Sequence, residues 1–224
     1  MLKLRVMKNK LLLQFFIFSL LHCLLSCTQD SYDKGEGDYS QMIGKMAMGY
    51  TSSDRLITHF VTDDGEQLKV TKPFASSLMP KADTVYRAVF YYNPTDRGAE
   101  VMGLNRVTVI NPHVYTSPKT DPVRVESVWL SKTKEYLNLS LYLMLGTTDD
   151  KEAVQRIGCH RDTLIQNTDG TRTLHLIFCH DQGNVPEFYS QRIYCSIPTQ
   201  DVDVDSISLR INTYQGLITS KTKL

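Results

Sequence analysis

The sequence predicts an all-β protein: an N-terminal five-stranded OB-like barrel followed by a C-terminal antiparallel β-sandwich. Three observations predict it. Apolar residues recur at every second position through much of the chain after residue 40, the period of a strand with one face in a core. The runs fall into two groups, one before and one after a proline-punctuated joint at 111–122. Gly, Pro, Asp and Asn cluster between the runs, where turns need them.

The chain has 224 residues, 42% of them hydrophobic, with 12 Gly and 8 Pro, which suits one or two folded domains. That balance excludes a disordered tail and a collagen-like or coiled-coil rod. Residues 1–26 hold four of the 25 basic residues (Lys3, Arg5, Lys8 and Lys10) and none of the 24 acidic ones. The remaining chain carries a formal charge of −3, so no nucleic-acid partner is expected.

Residues 11–25 form an apolar run broken by Gln14, Ser19, His22 and Cys23, and residues 1–26 have the layout of a secretory signal peptide. As a helix, this run would span about 22 Å, short of the ~30 Å hydrocarbon core, so a permanent membrane span is the weaker reading. Leu24-Leu25-Ser26-Cys27 resembles a bacterial lipobox, in which a small residue precedes the cysteine that is lipidated; the rival Cys23 follows bulky His22. The resemblance implies several acyl chains on Cys27 and a membrane partner through that anchor. Thr28 in place of an acid implies an outer-membrane lipoprotein. Residues 27–39 then read as a polar, glycine-containing tether.

The barrel is expected over 40–115. Its strands are placed at 41–50, 55–61, 67–71, 84–92 and 101–110, with a tight turn at Asp63-Asp64-Gly65 and a break at 94–98. Five short strands are too few for a sandwich but enough for a small closed barrel. The sandwich is expected over 116–224. Leu137, Leu139, Leu141, Leu143 and Leu145 alternate with Asn138, Ser140, Tyr142 and Met144, the signature of a half-buried strand. Similar runs end at Phe178, Ile197 and Ile211; strands at 123–130 and 158–165 complete six or seven. A helical turn or two is expected only at 148–157.

Cys159, Cys179 and Cys195 remain after processing, an odd number, and lie in apolar stretches as small buried hydrophobes; a Cys159–Cys179 bridge requires them to sit opposite one another. No nucleophile elbow, His-Glu-x-x-His, phosphate loop or Cys-x-x-Cys occurs. His175 and Cys179 would lie ~13 Å apart along one strand, too far to share a zinc. The Asp201-Val202-Asp203-Val204-Asp205 run fails as an EF-hand loop, because Ser206 stands where the glycine belongs. No metal and no cofactor are expected. Tyr86, Phe90, Tyr91 and Tyr92 form the densest aromatic cluster, beside a thin cationic field of Arg87 and Arg97. Tyr86, Tyr91, Tyr92 and Trp129 are the candidate binding residues; packing is the default use of each, and for Trp129 that means the sandwich core.

Several stretches carry a family resemblance: 56–65 (Leu-Ile-Thr-His-Phe-Val-Thr-Asp-Asp-Gly), 121–131 (Asp-Pro-Val-Arg-Val-Glu-Ser-Val-Trp-Leu-Ser), 135–139, 174–183 and 194–198. With the lipobox, their collinear order resembles the NigD-like lipoproteins of Gram-negative gut and oral anaerobes. The resemblance implies an OB-like barrel followed by a β-sandwich, brings no catalytic residue set, and carries an immunity role supposed from a bacteriocin operon. The expected function is a lipid-anchored, non-enzymatic binding module with a protein or glycan partner, on the periplasmic face or the cell surface. Its rivals are a carbohydrate-binding accessory lipoprotein and an enzyme with a scattered site.

Overall fold

The computed structural model describes Gly37, residues 40–200 and residues 202–224. The expected signal peptide, Cys27 and, apart from Gly37, the expected tether lie outside the described residues. Five strands build the barrel: β1 (Ile43–Thr51), β2 (Leu56–Thr62), β3 (Gln67–Ala75), β4 (Val85–Thr95) and β5 (Gly98–Arg106). They close in the order β1-β2-β3-β5-β4, and β4 returns to β1 in antiparallel register from Ile43↔Tyr92 to Tyr50↔Val85.

Alternation fills the barrel. Ala47, Ile57, Phe60, Ala88, Phe90 and Tyr92 point inward, with Phe60 stacked on Phe90 at 4.4 Å between ring centroids and edge-on to Tyr92 at 5.2 Å. Closure is narrowest between β3 and β5, which share one parallel pairing, Val70↔Ala99. Gly98, at φ +137°, makes that approach feasible, because a Cβ there would stand 2.2 Å from the Lys69 carbonyl oxygen.

The sandwich contains β6 (Thr108–Val109), β7 (Arg124–Leu130), β8 (Tyr136–Leu145), β9 (Arg156–Gln166), β10 (Arg172–Asp181), β11 (Tyr189–Pro198), β12 (Ser206–Thr213) and β13 (Gly216–Lys223). One sheet runs β6-β11-β8-β7 and the other β13-β12-β10-β9. Leu137, Leu139, Leu141, Cys195 and Ile197 of the first meet Leu174, Leu176, Phe178, Ile207 and Leu209 of the second in one continuous core. Residues 41–224 form one compact unit.

The structure departs from the sequence reading in four places. The strand expected over 101–110 divides at buried Val107, and β6 leaves the barrel to pair with β11. Two sandwich pairings, β6 with β11 and β10 with β12, are parallel, because the chain crosses to the opposite sheet before returning. The helical turn expected at 148–157 is absent. Thr148 Oγ1 accepts from the Asp150 amide and Asp150 Oδ1 from the Glu152 amide, side-chain bonds that favour a turn over a helix, and β9 begins at Arg156. Finally, β8 is buried on both faces from Leu137 to Leu141 rather than half-buried.

Candidate functional site

That second buried face builds the site. The outer side of β7, β8 and β11 turns toward the barrel, and register lines its residues into rows. Trp129, Asn138 and Ser196 form one row, Ser127, Ser140 and Tyr194 the next, and Arg124, Tyr142 and Arg192 the third. The barrel docks on the first row through Arg87 of β4, which is 4% exposed. Arg87 grips the Asp63 carboxylate with both terminal nitrogens, donates Nη2 to Asn138 Oδ1 at 3.0 Å and Nε to Ser196 Oγ at 3.2 Å. Asn138 Nδ2 donates to Asp63 Oδ2 at 2.7 Å, Ser196 Oγ donates to Asn138 Oδ1 at 2.7 Å, and the guanidinium lies 4.2 Å over the Tyr136 ring. Arg87, expected as part of a cationic field, is therefore the bolt between barrel and sandwich.

Beside the bolt, between barrel and sandwich, lies a cleft of about 290 Å³. Gly44 and Met46 of β1 and Val89 and Tyr91 of β4 form its barrel wall; Trp129, Ser127, Ser140 and Tyr194 form the sandwich wall, with Glu126 at the rim. A bulge puts Glu126 there, because the β7–β8 register passes from Val125↔Leu141 to Ser127↔Ser140 and leaves Glu126 as the extra residue. Such bulges re-aim a side chain. Glu126 thus reaches Ser140 Oγ at 2.5 Å, Arg192 Nη2 at 2.6 Å and the Tyr142 hydroxyl at 3.3 Å.

The polar groups of the cleft are held by one another. Glu126 titrates below the ordinary carboxylate range, chiefly through the Ser140 hydrogen bond, with Arg192 and Tyr142 adding to it. Burial raises the Tyr91 phenol, and the neighbouring Tyr194 adds to the rise. The Tyr142 ring carries Arg124 at 3.8 Å and Arg192 at 5.2 Å, a stack that fixes both guanidinium planes.

Of the four tyrosine and tryptophan candidates, the cleft unites Tyr91 and Trp129. Tyr92 is 2% exposed in the barrel core, so it presents no surface to a ligand. Tyr86 packs against the same core, and its hydroxyl accepts from the Lys81 amide at 2.9 Å. Trp129 is half-buried and packs, as Tyr91 and Tyr194 do, against Met46, Val89 and Val107 at the junction, not in the sandwich core. Glu126, Tyr194 and Arg192 were not singled out from the sequence. The one signal that points to them is the uncharged polar set of β8 and β11, Asn138, Ser140 and Ser196, which fits a covered face better than a solvated one.

The remaining chemistry is structural. Cys159, Cys179 and Cys195 are free thiols. Cys159 pairs with Phe178 and Cys179 with Gly158, so the register does not set the two cysteines opposite one another. Burial pushes the Cys195 thiol up to about 12 and raises Cys159 and Cys179 as well. Asp203 pairs with Arg172 at 2.6 Å, Asp205 accepts the Arg172 amide at 2.7 Å, and Asp201 lies outside the described residues. Among the described residues, no three His, Cys, Asp or Glu side chains converge as for a metal. A larger depression of about 480 Å³ at the β3–β5 seam is lined by charged chains, of which Lys72 and Glu100 pair on the surface at 2.6 Å.

The family described as the NigD-like C-terminal beta sandwich domain matches residues 107–223, more than half of the chain. The chain belongs to the NigD-like family. Solved structures share the fold of this NigD-like protein at low identity. A NigD-like immunity protein from Bacteroides caccae is 20% identical, covers 80% of this chain and 91% of its own, and superposes with a TM-score of 0.59. A putative toxin related protein from Parabacteroides distasonis is 14% identical, with coverage of 82% and 93% and a TM-score of 0.60. A protein of unknown function from Bacteroides vulgatus is 16% identical, with coverage of 82% and 90% and a TM-score of 0.58. No curated protein sequence matches the chain.

Proposed function

We propose that this NigD-like protein is a lipid-anchored, non-enzymatic binding module of the outer envelope that recognises its partner in the junction cleft. The observation that carries this reading is the bolt: a nearly solvent-free Arg87–Asp63–Asn138–Ser196 network fixes barrel and sandwich and so holds Tyr91, Trp129 and Tyr194 in one geometry. A cleft whose aromatic walls are set before binding avoids much of the ordering cost of recognition. The ionisable groups at its rim are engaged with one another, which suits a recognition surface better than acid–base chemistry. The lipobox-like sequence ending at Cys27 supplies the anchor. Where the partner is a secreted toxin, as the name of the Bacteroides caccae relative invites, holding it at the membrane is immunity.

Site-specific photo-crosslinking in whole cells tests the reading. Ser127 lines the cleft and Thr163 is exposed on β9, the edge strand of the other sheet. A photoreactive residue at 127 is expected to capture a discrete adduct that the same residue at 163 does not. Identical adducts from both positions, or none from 127, would count against recognition in the cleft.

A further inference from the structure

We infer that the cleft takes one pyranose ring, the exposed sugar of a glycan, with the ring face against Trp129 and Tyr91 and adjacent hydroxyls on Glu126 and Arg192. The inference rests on the binding-module reading of the same site and names its ligand class.

Size is the first ground. At about 290 Å³ the cleft stands at the lower end of the ~300–1,000 Å³ range of small-molecule sites, enough for a single substituted six-membered ring. An extended peptide needs a run of alternate pockets along a sheet edge instead. Chemistry is the second. Tyr91, Trp129 and Tyr194 offer apolar faces with polar tips, and a sugar ring is amphipathic in the same sense, with C–H groups on its faces and hydroxyls at its rim.

The rim supplies the third ground. Glu126 Oε1 and Arg192 Nη2 lie 2.6 Å apart, an acceptor beside a donor at a spacing that neighbouring hydroxyls on a ring can bridge. The described bonds to Ser140, Tyr142 and Arg192 fill three of roughly four acceptor sites of the carboxylate and leave one for a ligand hydroxyl. Local backbone design is the fourth. Within its sheet the register shifts only between β7 and β8, at Glu126, and the shift turns the carboxylate to the cleft rim. Across the cleft, Gly44 leaves room for the Tyr91 ring to lie close over β1, because a Cβ there would sit 3.1 Å from Tyr91 Cε1.

The chain contains one tryptophan, and it lines this cleft, so its fluorescence reports on the site without a label. The full chain in detergent micelles is titrated with the methyl pyranosides of glucose, galactose, mannose, N-acetylglucosamine and glucuronate, and with their disaccharides. At least one is expected to give a saturable change in emission. Glu126→Gln should weaken that binding about tenfold or more, the loss of one charge-assisted hydrogen bond, while the melting temperature stays within a degree or so. Tyr194→Phe, which keeps the ring, serves as a second variant and should weaken binding as well.

No saturable change across the panel overturns the sugar assignment, as does a saturable change that neither variant weakens. Saturation by an acidic decapeptide, with the pyranosides silent, removes the ligand class and leaves the binding module standing. Silence toward the sugars together with no adduct from position 127 removes both.

Discussion

Replacing Arg87 with methionine keeps an unbranched apolar stem and removes the guanidinium with its charge, so the effect reports on the bolt between barrel and sandwich. Arg87 is 2% exposed in its side chain and Asp63 15%, which places the pair among buried ion pairs. Deleting one member of such a pair costs about 3–5 kcal/mol, because the other charge stays behind in a poor solvent. The structure places Arg87→Met at the low end of that range. Asn138 and Ser196 keep their mutual bond at 2.7 Å, and Asp63 keeps the Asn138 amide at 2.7 Å, so only part of the network is orphaned. A loss of about 3 kcal/mol in a unit of this size lowers the melting temperature by roughly 6–12 °C. Calorimetry measures it. The double variant Arg87→Met with Asp63→Asn should be more stable than the sum of the single changes predicts, by about 1–3 kcal/mol. A single-variant loss under about 1 kcal/mol, or strict additivity in the cycle, would refute the assignment of Arg87 as the junction's main polar tie.

The Glu126 carboxyl, depressed chiefly by Ser140, should titrate below the ordinary value of about 4.3 in an NMR pH series, and Ser140→Ala should move its midpoint upward. The sign follows from linkage: with the folded pKa below the unfolded one, the group's contribution is complete above about pH 4.3 and is lost as pH falls through the folded value. A midpoint unchanged by Ser140→Ala would show that the bulge does not deliver the carboxylate to that hydroxyl. At the other end of the chain, Cys27→Ala should abolish radiolabelled palmitate incorporation and release the protein from the membrane fraction. An unlabelled wild-type chain would remove the anchor.

Much of the fold was legible because strand alternation is a local property. The leucines of β8 announced an inner face at every second position, and the turn at Asp63-Asp64-Gly65 separated β2 from β3 as its residues required. What alternation cannot tell is what covers the opposite face. Asn138 and Ser140 read as solvated until the barrel is seen resting on them, and Arg87 read as a surface cation although its partners Asn138 and Ser196 lie 51 and 109 residues away. The same limit hid the cleft. Tyr91 and Trp129 were visible as aromatics, yet only the pairing of β1 with β4 and of β7 with β8 brings them to one place. Glu126 was invisible for another reason: a bulge shifts one residue between faces, and nothing in the spacing of Arg124, Glu126 and Val128 marks which one slips. Tyr92 failed in the opposite sense, since an aromatic at an alternating position fills a barrel as readily as it lines a groove.

The pairing of β6 with β11 also sets an order of events. Thr108 meets Cys195, and Arg87 meets Ser196, so neither contact exists until almost the entire chain has emerged. The barrel strands are complete by Arg106, and their pairings with one another use no residue beyond it. Arg87 therefore has its Asp63 partner within the barrel half, while its bond to Ser196 waits for residues near the end of the chain. Distant closures of this kind are slow compared with hairpins. A chain truncated before residue 195 would thus lose the Ser196 arm of the bolt and the β6–β11 pairing as well as the strands beyond the cut.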